Sequence, residues 1–131
     1  MTTEEKILSS ARKNFLLYGY YGTTIEKIAR EAGVSKAIIH YYFRTKNKLY
    51  SEIIDMITDS ILNYSNYEYP DAHLTWFLVS ELRNNRTMFL NSIKTKMKID
   101  WEKKIQEMIK RSMEIYSPAE FSKNIGRKSI R

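Results

Sequence analysis

The most constraining part of the chain is the run TTIEKIAREAGVSKAIIHYYFRTKNKL, from Thr23 to Leu49. It reads as two short helices separated by a tight turn, followed by the start of another. Thr23 and Glu26, a hydroxyl and a carboxylate three residues apart, have the spacing of a capping box, in which each satisfies an orphan backbone donor. Ile25, Ile28, Ala29 and Ala32 then share one helical face. Gly33 stands where a left-handed residue ends such a helix, since glycine has no side chain to clash there. Ser35 is placed to cap the next helix, and Ile39 and Phe43, four residues apart, would seat it on a core.

The chemistry of that second helix is unusual. Lys36 falls in its first turn, where the helix dipole disfavours a cation by a few tenths to about 1 kcal/mol. An anion arriving at that end reverses the sign. Ala37 is small enough to let a base edge come close, and His40, Tyr41 and Tyr42 put polar tips on a face that Ile39 and Phe43 leave free. Arg44, Lys46 and Lys48 follow at once. A recognition helix contacts bases through its N-terminal half, while flanking cations and hydroxyls hold phosphates.

On these residues, the chain from about Ile7 to Ile54 resembles the DNA-binding domain of the TetR family of bacterial transcriptional regulators. The resemblance is carried by ILSSARKNFLLYGYYGTTIEKIA, EAGVSKAIIHYYF and RTKNKLYSEII, several spaced elements covering a little over a third of the chain. It implies an all-α fold: an N-terminal three-helix head with the helix-turn-helix, then a helical, bundle-like region for ligand binding and dimerisation. We place the head at residues 1–45 and the regulatory and dimerisation region at 46–131. The resemblance further implies that Lys36, Ala37 and His40 face bases and that Thr24, Tyr42 and Lys46 hold phosphates. At His40 the family usually carries an aromatic residue, most often tyrosine. Members are usually longer, with further C-terminal helices that pair two subunits, so the C-terminal part is expected to be a shortened one.

A chain of 131 residues has room for one domain, or for a small head and part of a second. With 43% apolar residues it can bury a core, and four glycines and two prolines suit a mostly helical protein. The absence of cysteine excludes disulfides and thiolate metal sites and permits a reducing cytosol. The N-terminus is polar, and Arg12, Lys13 and Asn14 interrupt Ile7 to Tyr21, so no signal peptide is read there. No apolar run approaches the roughly 18 residues that a membrane helix needs. The expected location is the cytoplasm. The net charge of +7 is uneven: residues 1–50 hold nine Lys/Arg against four Asp/Glu, residues 51–82 none against six, and residues 83–131 thirteen against five. A basic head suits a polyanion, because neutralising phosphates releases counterions. The acidic middle argues against coating nucleic acid along the whole chain.

Periodicity predicts the remaining helices. The first runs from about Glu4 to Tyr18, capped by Thr2 or Thr3, with Ile7, Ala11 and Phe15 as its buried stripe. Tyr18 to Gly22 is a turn; its two glycines lack the Lys-Ser/Thr of a phosphate loop. The fourth helix runs from Lys46 to about Tyr64 with Thr45 as cap, and Leu49, Ile53, Ile57 and Ile61 as a ladder. Its apolar surface, widened by Ile54, Met56 and Leu62, exceeds what a small head needs, so it should link the head to a second layer. Beyond a loop over 65–71, helices are predicted from Asp71 to about Leu82, from Arg86 to Lys98 and from Asp100 to Tyr116, with weak order from about Phe121.

Several features have plain explanations. Trp76, Phe77, Met88, Phe89, Met97 and Trp101 include candidates for an apolar effector pocket, yet each by itself reads first as helix core. The effector-binding residues stay unassigned. His73 has no second histidine nearby and reads as a surface or lining residue, so no metal site is expected. No nucleophile elbow, zincin motif or paired carboxylates mark an enzyme, and no cofactor is implied. The expected partners are double-stranded DNA, a hydrophobic small-molecule effector and a second copy of the chain, without a membrane. The function expected is a repressor released by its ligand; the alternative is a protein–protein interaction module whose head no longer binds DNA specifically.

Overall fold

Each of the first four helices opens on a hydroxyl side chain that accepts a hydrogen bond from a backbone N–H three residues on. A computed structural model of the chain, which describes residues 1–62, 72–93 and 101–115, shows the pattern four times. Thr2 caps α1 (Thr3–Tyr18) through Glu5 N, and Thr24 caps α2 (Ile25–Ala32) through Lys27 N. Ser35 caps α3 (Lys36–Phe43) through Ile38 N, and Thr45 precedes α4 (Lys46–Leu62) with its Oγ1 3.0 Å from Lys48 N. Such caps stabilise a helix start by about 1 kcal/mol each. Gly33 ends α2 in the left-handed conformation, at φ 73° and ψ 32°, and its N–H reaches Ala29 O and Arg30 O.

The capping box expected of Thr23 and Glu26 is not formed. Thr23 is fully buried, and its hydroxyl lies 2.8 Å from Gly19 O and 3.0 Å from Asn14 O. Drawn to the carbonyls at the end of α1, it leaves the cap to Thr24, so α2 starts one residue later. Glu26 turns instead to Lys36. Ser10 Oγ donates to Ile28 O at 3.0 Å and Asn14 Nδ2 to Glu31 Oε2 at 2.7 Å, which ties α1 to α2.

Behind the head, α5 (Ala72–Asn84), α6 (Arg86–Ser92) and α7 (Trp101–Ile115) complete an architecture that is all-helical among the described residues. The helix predicted from Arg86 to Lys98 stops at Ser92, where Ile93 turns extended and its N–H bonds Leu90 O. Asp71, Tyr64, Met97, residues 94–100 and residues from 116 on lie outside the described residues, as do the side chains of Ile61, Leu62 and Trp101. Helix α4 packs against α1, α3 and α6, and α5 packs against α1, α6 and α7. One apolar core therefore runs from Ile7, Phe15, Ile28, Ile39 and Phe43 through Leu49 and Ile53 to Phe77, Phe89 and Met108. Phe77 and Phe89 meet edge to face at 6.2 Å inside it, so these two are core.

Candidate nucleic-acid interface

Helix α3 is held by a narrow seat. Ile39 and Phe43 are 2% and 5% exposed, while Lys36, Ala37, His40, Tyr41 and Tyr42 face solvent. The seat explains the outward face: a two-turn helix anchored at positions i and i+4 leaves the rest of its circumference free. Ile38 is also exposed, at 38%, and with Tyr41 and Tyr42 it makes an apolar and aromatic ridge; the two tyrosine rings meet edge to face at 5.2 Å.

Beside that ridge lies an open groove of about 400 Å³ lined by, among others, Thr24, Glu26, Lys36, His40, Arg44 and Lys46. Four of the six residues expected to touch DNA, Thr24, Lys36, His40 and Lys46, thus share one concavity. Ala37 and Tyr42 stand on α3 outside its lining. Lys36 Nζ is 2.7 Å from Glu26 Oε1, with both side chains about three-fifths exposed. The hydrogen bond from Lys36, then the residue's own backbone N–H and the ammonium charge, hold the Glu26 carboxyl below the usual carboxylate range. Lys46 lays its Nζ 4.1 Å from the centre of the Tyr20 ring. Partial burial lowers the Lys46 pKa, and the nearby Glu81 carboxylate offsets part of that.

The sequence did not single out Glu26 as part of this surface, nor the backbone at Arg44. Arg44 has φ 69° and ψ −55°, and Thr45 N bonds Phe43 O at 2.7 Å across it. This is a three-residue turn with a non-glycine residue at positive φ, a strained arrangement. It reverses the chain sharply between α3 and α4 and brings the Arg44 side chain to the groove. His73 is half-buried and lines a separate groove between α1 and α5 with Arg12, Lys13, Leu16 and Leu17. No group of metal-ligating side chains occurs among the described residues, and none of the described helices is long and apolar enough to cross a membrane.

Comparison with known proteins agrees with the geometry. Residues 7–53 match the family model of bacterial regulatory proteins, tetR family. The HTH-type transcriptional regulator RutR of Escherichia coli (strain K12) is 43% identical over 56 residues, which is 43% of this chain and 26% of RutR. YhgD, an HTH-type transcriptional regulator of Bacillus subtilis (strain 168), is 28% identical over 89 residues, 63% of this chain and 47% of YhgD. The matched stretches therefore span a quarter to a half of these relatives. A crystal structure of a HlyIIR mutant protein superposes with TM-score 0.55 over 95% of this chain and 80% of that one, at 22% identity, a likeness of fold. The likeness to the tetR family of bacterial regulatory proteins is thus carried by residues 7–53, which hold the helix-turn-helix head.

Proposed function

We propose that this chain is a sequence-specific DNA-binding transcriptional regulator, with residues 1–45 as the DNA-binding head and 46–131 as a regulatory and dimerisation region. The observation that carries the reading is the pairing of an outward-facing α3, seated on Ile39 and Phe43, with a groove that gathers Thr24, Lys36, His40 and Lys46. Lys36, Ala37 and His40 would meet base edges in the major groove, whose donor and acceptor pattern distinguishes all four base pairs. Thr24, Tyr42 and Lys46 would meet phosphates, which fix register without carrying sequence. That RutR and YhgD are HTH-type transcriptional regulators supports the same reading.

The finer proposal is a cytoplasmic repressor, not an enzyme, that binds a pseudo-palindromic operator as a homodimer and is released by a hydrophobic small molecule. Helix α4 is the physical link, since it touches both the head and α6, and a tilt of α4 would move α3 on the duplex. Two heads related by symmetry need half-sites about one helical turn, or a multiple, apart.

Selection of bound sequences from a random duplex pool, with light scattering at several concentrations, tests the proposal. A regulator enriches one site in two related halves and scatters as a dimer. Equal binding to all duplexes points to an architectural binder, and no binding to an interaction module; either result overturns the reading.

A further inference from the structure

The Glu26–Lys36 contact calls for a role other than stability. Both side chains are largely in water, where an ion pair contributes little to stability and often nothing measurable. The two residues come from different helices, ten positions apart, and meet at the mouth of the groove beside the first turn of α3. That is the end of a recognition helix that approaches base edges. Lys36 offers three N–H donors, of which Glu26 takes one. Glu26 offers roughly four lone-pair sites, and Lys36 and its own backbone N–H account for two. What remains is a set of spare donors beside spare acceptors, on two residues that line the same groove.

We infer that Glu26 is a specificity-determining residue that reads one G·C pair jointly with Lys36. The inference rests on the reading of α3 as a DNA-recognition helix. In the major groove guanine presents two neighbouring acceptors, N7 and O6, and its cytosine presents the N4–H donor next to them. The spare ammonium hydrogens of Lys36 match the two acceptors, and the spare lone pairs of Glu26 match the donor. An A·T pair fits less well. Adenine places its N6–H donor next to N7, and the thymine acceptor lies beside a methyl group. A carboxylate on a DNA-facing surface would also repel phosphates; Lys36, Arg44 and Lys46 around the same groove supply the compensating charge. Glu26 thus trades general affinity for discrimination at one step.

The experiment is selection from a random duplex pool with the wild-type chain, Glu26→Ala and Lys36→Ala, followed by affinity measurements on the selected site and on its single-pair variants. The expected result is a G·C pair, at one position of each half-site, whose preference falls roughly tenfold in both variants while the other positions keep theirs. The residue is exposed, and thermal unfolding of Glu26→Ala reports whether the fold is intact. If the wild type enriches a site and Glu26→Ala enriches the same one, or binds every duplex more tightly by one common factor, the joint reading fails and the regulator reading stands. If the wild type enriches no site, both fail.

Discussion

Tyr50 donates its phenolic hydrogen to Glu81 Oε1 at 2.7 Å, and this buried bond joins α4 to α5 behind the head. The same carboxylate oxygen accepts from Tyr20 N at 3.1 Å and from Asn85 Nδ2 at 3.4 Å. Tyr20 in turn donates its hydroxyl to Asn47 and stacks edge to face on Tyr50 at 5.0 Å. One carboxylate, 2% exposed, therefore clasps the turn after α1, the helix carrying Lys46, and the α5–α6 corner. Truncating it leaves buried donors without partners. Glu81→Ala should cost about 2–4 kcal/mol of unfolding free energy, measured by urea unfolding; a loss below 0.5 kcal/mol would show that the clasp is not a structural centre.

The clasp also sets a pH dependence. Burial raises the Glu81 pKa above its usual 4.5, against the lowering effect of the hydrogen bonds from Tyr50, Tyr20 and Asn85 and of the Lys46 charge. A raised carboxyl pKa means that the folded state binds the proton more tightly than the unfolded one. This residue's contribution is then most favourable below the unfolded value and declines as pH rises through the folded value. Glu81→Gln keeps a carbonyl acceptor and has no charge to bury. Its stability relative to wild type should grow as pH climbs from 4.5, then level off. A difference that is flat, or that shrinks over that range, contradicts this assignment.

Arg44 separates backbone strain from charge. Its positive φ costs on the order of 1–3 kcal/mol in a non-glycine residue, against about 0.5–1 kcal/mol of extra chain freedom if glycine replaces it. Arg44→Gly should therefore unfold at the same or a higher temperature than wild type, while Arg44→Ala does not gain. Both variants should bind duplex DNA more weakly, since both lose the cation at the groove. Higher stability in Arg44→Ala than in Arg44→Gly would contradict the strain argument.

Lys46→Ala should weaken binding to every sequence alike and reduce the slope of log K against log salt by about 1. The variant should also lose about 0.5–1 kcal/mol of stability with the contact to the Tyr20 ring. An unaltered salt slope would mean that Lys46 serves Tyr20 and not a phosphate.

Ala37 gives the opposite signature. It is exposed on α3 next to Lys36, so Ala37→Gln should leave folding unchanged, alter which sequence is selected, and leave the salt slope alone. The comparison is between the sequences enriched by the two proteins from the same random pool; identical enrichment would remove Ala37 from the reading surface.

The sequence by itself determined what depends on near neighbours along the chain. The caps at Ser35 and Thr45, the left-handed end at Gly33, and the Ile39 and Phe43 seat all arise from residues within one helical turn of their partners. Local spacing encodes such features completely. Tertiary structure alone decided the rest. Local spacing favours Thr23 as the cap through Glu26, and only the carbonyls of Asn14 and Gly19 drew Thr23 inward and left the cap to Thr24. Glu26 meets Lys36 across ten residues, Tyr50 meets Glu81 across 31, and Tyr20 meets it across 61. No periodicity marks such contacts, because they exist only once helices have packed and burial has made a lone carboxylate or hydroxyl seek a partner.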